Sequence, residues 1–116
     1  MSYLFRKWTK EDRLPSNWAG KPPPDNSYVL FYNDEQVGTA IMGYEGPNNI
    51  FFIEIFEPYR KSGHGRYFVE KIAEELKNKG YSDITAFPVI DETVWTRLGF
   101  NVEKVIDGDN LLKKNL

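Results

Sequence analysis

The stretch "EPYRKSGHGRYF", residues 57–68, sets two glycines one residue apart among Arg60, Lys61, His64 and Arg66. An apolar run precedes it and an amphipathic run follows, so it reads as the turn between a strand and a helix. Amides in a helix's first turn have no intrahelical partner and point one way, with the positive end of the dipole behind them. Such a turn is a ready anion site. Gly63 and Gly65 carry no Cβ, so a diphosphate can approach the backbone closely, and Arg60, Lys61 and Arg66 add positive charge. Taken alone, the stretch is equally a solvated basic turn or a phosphate cradle. It has neither the Lys-Ser pair of a P-loop nor the third glycine of a dinucleotide fingerprint.

The flanks narrow the fold. "IFFIEIFE" (50–57) is apolar on both faces except at Glu54, the pattern of a central strand covered on both sides. After the turn, Phe68, Ile72 and Leu76 recur with Val69 and Ala73 beside them, while Glu70, Lys71, Glu74 and Glu75 face away. That predicts a helix of about four turns, closed by Lys77, Lys79 and Gly80. Upstream, β-branched and aromatic runs at 27–33 and 36–44 flank a short polar turn and read as a hairpin. "YLFRKWT" (3–9) reads as an edge strand, and residues 10–26 are broken by Pro15, Gly20 and Pro22 to Pro24.

Downstream, "DITAFPV" (83–89) reads as a short strand stopped by Pro88, and "DETVWTRL" (91–98) as a two-turn helix ending at Gly99. Two further strands, 100–106 and 110–115, flank an Asp-Gly-Asp turn. The order predicts an α/β (α+β) fold, one domain over residues 1–116, with a mixed central sheet and helices on both faces.

Composition bounds the function. A hydrophobic content of 41% places the chain among globular proteins. There is no cysteine and one histidine, which leaves no thiolate zinc site and no triad apart from His64. A net charge of -2 argues against broad nucleic-acid binding and makes the basic cluster at 60–66 a local feature. The charged start and the short apolar runs predict no membrane span, and a soluble cytoplasmic protein is expected.

Read together, "EPYRKSGHGRYFVEKIAEEL" and "VWTRLGF" (94–100) resemble the GCN5-related N-acetyltransferase (GNAT) family. Arg60, Gly63 and Gly65 fill its Arg/Gln-x-x-Gly-x-Gly/Ala loop, and Arg97 to Phe100 fill its second motif. The resemblance is close over residues 50–106. It implies a GNAT-like acyl-CoA fold with a shortened N-terminal helical region, and acetyl-CoA as co-substrate without a metal. The loop amides of Lys61, Ser62, Gly63, His64, Gly65 and Arg66, with Arg60, would hold the diphosphate. The pantetheine arm would run along Ile55 and Phe56, the latter through its backbone only.

The resemblance also implies transfer of acetyl to a primary amine, with a backbone amide near Phe56 for the oxyanion and Glu54 as candidate base. A structural acid paired with a nearby cation is the other reading of Glu54. His64 is read as a helix-start residue facing phosphate or solvent, not as a base. The family's acid, a tyrosine, is replaced by Trp95, and its asparagine by Pro88. An indole N–H donates a hydrogen bond but cannot deliver a proton. A thiol with a pKa near about 8.5 can still leave as thiolate. Trp95 is expected to pack against the coenzyme arm or in the core. The competing function is a catalytically weak acyl-CoA-binding domain. The acceptor wall is expected to be open, or completed by Trp8, Trp18 and the proline run, or by a homodimer partner.

Overall fold

The computed structural model describes residues 2–16, 18, 26–43, 46–89 and 93–116. The expected proline run at 22–24 and the start of the second helix lie outside the described residues. The strands are β1 (Tyr3–Lys7), β2 (Tyr28–Tyr32), β3 (Glu35–Met42), β4 (Asn49–Ile55), β5 (Asp83–Val89), β6 (Asn101–Ile106) and β7 (Asp109–Asn115). The helices are α1 (His64–Asn78) and α2 (Thr93–Arg97), and one 3-10 turn covers Glu57–Tyr59. The strands form one sheet in the order β1-β2-β3-β4-β5-β7-β6, with β4 and β5 parallel and the other described pairs antiparallel.

Local chemistry explains most of these elements. Asn33 and Asp34 (φ 52° and 69°) join β2 to β3, and Asp107 and Gly108 (φ 50° and 88°) join β6 to β7. Paired positive φ values match the strand twist in two-residue hairpin turns. Helix α1 ends as its sequence predicts. Gly80 sits at φ 95°, its N–H reaches the Lys77 carbonyl at 3.0 Å, and the Tyr81 N–H reaches Leu76 at 3.1 Å. That is a Schellman closure.

Phe68, Val69, Ile72 and Leu76 of α1 are buried against one sheet face with Ala40, Met42, Ile50, Ile84 and Ala86. The helix comes close because β3 carries Gly38. A Cβ there would lie 2.8 Å from the Ile55 side chain, 2.9 Å from the Glu54 carbonyl oxygen and 3.3 Å from Phe68. A backbone oxygen cannot rotate away. Gly38→Ala is therefore expected to cost about 1–3 kcal/mol, read as a lower urea midpoint at unchanged slope.

The opposite face, with Val29, Thr39, Ile41 and Phe56 buried, carries the segment after β1. Arg6 grips Asp12 with two bonds of 2.8 Å, and Asp12 also accepts the Thr9 N–H at 2.7 Å. Arg13 exchanges bonds of 2.8 and 3.1 Å with the Gln36 side chain, and its guanidinium lies 3.7 Å from the centre of the Phe56 ring. The hydrogen bond from Arg6 holds the Asp12 carboxyl below its ordinary pKa despite burial, with Thr9 assisting. A depressed folded pKa contributes stability above the unfolded value, near about 3.9, that is lost as pH falls through the folded value. Asp12→Asn should thus cost about 1–2 kcal/mol at neutral pH. Its deficit against the native chain should begin to shrink in urea melts taken below about pH 4 and close only once pH lies below the folded value.

Two sequence expectations shift. Pro88 does not stop β5, which runs on to Val89 with its register against β7 broken between Ala86 and Val89. Proline is tolerated in a strand at such an irregularity, where no ladder N–H is required. Strand β4 is central in pairing but not covered throughout: Phe52 is 41% exposed.

Candidate active site

The site starts from a defect in β4. Met42 pairs with Ile50 and Ile41 with Phe52, leaving Phe51 as an extra, bulged residue. A bulge bends its strand. On the other side, β4 meets β5 only at Asn49↔Thr85 and Ile50↔Ala86, so the two parallel strands part just where the bulge falls. Side chains pin the apex. Asn49 donates to Thr85 Oγ1 at 3.0 Å, and Asn48 donates to the Asp83 carbonyl and carboxylate at 3.0 and 2.9 Å. Beyond Ala86, Pro88 offers no N–H to close the gap.

Strand alternation then decides what faces the gap. The Phe56 N–H donates to Val37 at 2.8 Å, toward β3. Alternate residues turn the same way, so the backbone groups of Ile53 and Ile55 turn toward the gap. Phe56 is buried, 1% exposed, as expected for its side chain. Its amide, however, is committed to β3, so the expected oxyanion donor at this position is already used. Ile53 is the residue that sequence reading missed, because only the register reveals it.

At the open end of β4 stands the glycine turn. Lys61 (φ 66°) and Gly63 (φ 82°) are both left-handed, and α1 begins at His64, its first backbone bond running from Tyr67 N–H to the Gly63 carbonyl at 3.1 Å. The amides of His64, Gly65 and Arg66 meet no acceptor among the described residues. A Cβ on Gly63 would meet nothing within 4 Å. The turn therefore presents bare amides to open space.

The side chains around it divide the work. Arg60 does not reach over the turn. Its Nε donates to the Ile55 carbonyl at 2.7 Å, and its Nη2 lies 3.4 Å from Glu54 Oε2, so it braces the end of β4. Arg66 lies against the C-terminal end of α2, 3.5 Å from the Arg97 carbonyl. Ser62 and Lys61 are exposed.

The reading of His64 as facing phosphate or solvent needs correction. Its ring is buried, 7% exposed, and Nδ1 shares a 2.7 Å hydrogen bond with the Tyr3 hydroxyl. Tyr3 stacks on Tyr67 at 3.8 Å, and Tyr32 lies 4.8 Å from the imidazole. Burial, with Tyr32 and Tyr67 alongside, raises the Tyr3 pKa, so its proton stays in place at neutral pH. The aromatic partners come from β1 and β2, far away in sequence, which is why the loop's own pattern did not show this. The His64 backbone amide remains in the turn.

Glu54 lies on the face opposite α1, level with Thr39, and its side chain is 11% exposed. Oε1 accepts the Ser16 N–H at 2.6 Å, and Oε2 faces Arg60. The carboxylate retains lone pairs for a third donor. Both readings of Glu54 thus meet in one place: it is ion-paired, and it lines a cleft.

Two clefts meet across β4. One, of about 610 Å3, is lined by Ile53, Ile55, Gly63, Gly65 and Trp95 among others; the second, of about 1030 Å3, by Arg13, Ser16, Phe52, Glu54 and Glu57 among others. Ile53, Ile55, Gly65 and Val94 belong to both, so the parted strands connect them. Their walls hold Arg13, Arg60, Lys61, Arg66 and Arg97 against Glu54 and Glu57, a positive excess on a chain of net charge -2. Such a lining suits an anionic ligand. Among the described residues no group of three or more His, Cys, Asp or Glu could hold a metal.

Trp95 serves cleft and core together. It lines the smaller cleft and meets Phe100 edge-on at 5.1 Å. The second motif is a helix closure: Gly99 sits at φ 93°, its N–H reaches Thr96 at 3.1 Å, and the Phe100 N–H reaches Trp95 at 3.1 Å. The apolar contact that seals a Schellman motif joins Trp95 to Phe100. Lys114 then caps the Leu98 carbonyl at 2.9 Å.

The open acceptor wall is filled in part by the segment after β1. Ser16 bonds Glu54, and Trp18 stands edge-on to Phe51 and Phe52 at 6.3 and 6.1 Å.

A family model described as the acetyltransferase (GNAT) family matches residues 2–100. No curated protein matches the chain. Among solved structures, a GNAT family acetyltransferase from Elizabethkingia anophelis with acetyl-CoA bound superposes at a TM-score of 0.72 with 16% identity, covering 98% of each chain. PaiA N-acetyltransferase from Thermoplasma acidophilum in complex with coenzyme A gives 0.63 at 16% identity, over 78% of this chain. A Bacillus subtilis acetyltransferase in complex with CoA gives 0.62 at 19%, covering 78% of this chain and 76% of its own. The chain spans 60% of the Thermoplasma protein's length. At these identities the likeness is one of fold, a mixed α+β sheet with few helices.

Proposed function

Because the chain belongs to the acetyltransferase (GNAT) family, we propose that it transfers an acetyl group from acetyl-CoA to a primary amine by direct attack. One observation carries the reading. Unbonded amides at the start of α1 stand at the mouth of the gap between β4 and β5, so one ligand can span both. The diphosphate lies on the amides of the turn, and the pantetheine arm pairs with the Ile53 backbone and the Ile55 N–H, the Ile55 carbonyl being held by Arg60.

The amine approaches from the Glu54 side. Glu54 takes one proton from the ammonium, and the neutral nitrogen bonds to the acetyl carbon. The carbon–sulfur bond breaks to release thiolate, and the second nitrogen proton passes to the thiolate or to solvent. An amide pointing into the gap steadies the oxyanion. No tyrosine acid is required if the thiol leaves as its anion. A cytoplasmic location belongs to the same proposal, in keeping with the short apolar runs of the sequence.

The Trp95 ring, packed on Phe100 where relatives of this family are expected to hold an acid, favours one alternative: an acyl-CoA-binding domain with weak catalysis. Thiol release from acetyl-CoA over a panel of amines and peptides separates the two. Turnover on at least one amine is expected. Binding without turnover on any would assign the alternative.

A further inference from the structure

Among the described residues of the central strands, the sheet face that holds Glu54 is closed around it. Val29 and Thr39 are 0% exposed, Phe56 is 1% and Ile41 is 2%. Phe52 is the exception: a large aromatic at 41% exposure on a central strand. It stands two residues from Glu54 on the same face, about 7 Å along the strand. Trp18 is held edge-on to it at 6.1 Å. Across the gap, Val94 of α2 is 61% exposed and lines both clefts. An apolar shelf therefore lies beside the Glu54 carboxylate.

The charges around this cleft select further. Arg13, Arg60 and Lys61 line it against Glu54 and Glu57, and Arg60 already faces Glu54. A second or third ammonium on the acceptor would meet cations. A polyamine or a lysine-rich tail is thus disfavoured, because like charges placed together cost affinity and slow encounter.

We propose that the acceptor is a primary amine carried on one flat apolar body, of the arylalkylamine class. Phe52, backed by Trp18, holds the body while Glu54 receives the ammonium. The inference rests on the reading of this cleft as the acceptor side of an acetyltransferase. Edge-to-face and stacked rings suit such a body, and its one ammonium supplies the third donor that the ion-paired Glu54 carboxylate can still accept.

The test uses 2-phenylethylamine and spermidine as probes, with the full chain and acetyl-CoA, reading thiol release. The kcat/KM for 2-phenylethylamine should exceed that for spermidine at least tenfold. Phe52→Ala should lower the first about ten- to hundredfold, the range expected for losing a buried aromatic contact. It should leave the acetyl-CoA Kd within twofold. Phe52→Leu, which keeps apolar volume and guards against misfolding, should recover most of the loss. Preference for spermidine, or equal losses on both amines in Phe52→Ala, would overturn the acceptor class while leaving the transferase reading intact. No thiol release with either probe or with any amine or peptide of the wider panel, despite bound coenzyme, would overturn both.

Discussion

Replacing Gly63 with valine is expected to raise the Kd for acetyl-CoA about a hundredfold or more, the loss of two charge-assisted hydrogen bonds to the diphosphate. The space in front of Gly63 is empty of protein, so the new side chain would stand where the amides of His64, Gly65 and Arg66 present themselves. Gly63 is left-handed at φ 82°, so valine also strains the backbone there. Gly80 provides the control. It too is left-handed, at φ 95°, with nothing within 4 Å of its Cβ position, but it closes the far end of α1. Gly63→Val and Gly80→Val should each lose about 1–3 kcal/mol of stability. Only the first should lose coenzyme, as read by calorimetric titration. Equal affinities in the two variants would show that the turn does not hold the diphosphate.

Glu54→Gln should lower kcat about a hundredfold or more, the range for loss of a general base, while leaving the acetyl-CoA Kd within twofold. The structure makes this separation clean. Glutamine keeps an oxygen for the Ser16 N–H at 2.6 Å, so that bond survives. What is lost is an ion pair of 3.4 Å to an Arg60 guanidinium that is half exposed, and such pairs contribute about 0–1 kcal/mol. Stability should therefore fall by no more than about 1 kcal/mol in urea melts. A rate loss matched by an equal loss of stability, with kcat restored when the Glu54→Gln variant is measured well below its melting range, would assign Glu54 a structural role alone.

Much of the fold was legible because its punctuation is local. Gly63, Gly80, Gly99 and the Asp107-Gly108 pair all occupy positive φ, as their positions in the pattern demand. The helix α1 stripe of Phe68, Val69, Ile72 and Leu76 is buried as its period predicts. The second motif turned out to have a physical content of its own: it is the sealed C-terminal end of α2, with Trp95 and Phe100 in contact.

What escaped sequence reading is set by register and by distant partners. The bulge at Phe51 decides which backbone groups of β4 face the gap, and nothing in "IFFIEIFE" announces an extra residue. Ile53 entered the site, and the Phe56 amide left it, on that count alone. His64 looked exposed because it follows a basic turn, yet Tyr3, 61 residues away, draws its ring inward. Ser16 reaches Glu54 from a segment whose prolines give no hint of its path, whereas Trp18, named from the sequence as a possible part of the acceptor wall, stands against Phe52. Arg60 matched the loop pattern by position, but its head braces the end of β4 instead.

The central claim is that the turn at 60–66 and the parted strands together hold an acyl-coenzyme A. Calorimetric titration of the native chain with acetyl-CoA tests it most directly. The account predicts one-to-one binding with a Kd of about 1–100 μM, in the range where coenzyme-using enzymes meet their substrates, and an affinity that weakens with salt as a diphosphate contact should. No heat of binding at acetyl-CoA concentrations approaching about 1 mM would contradict it.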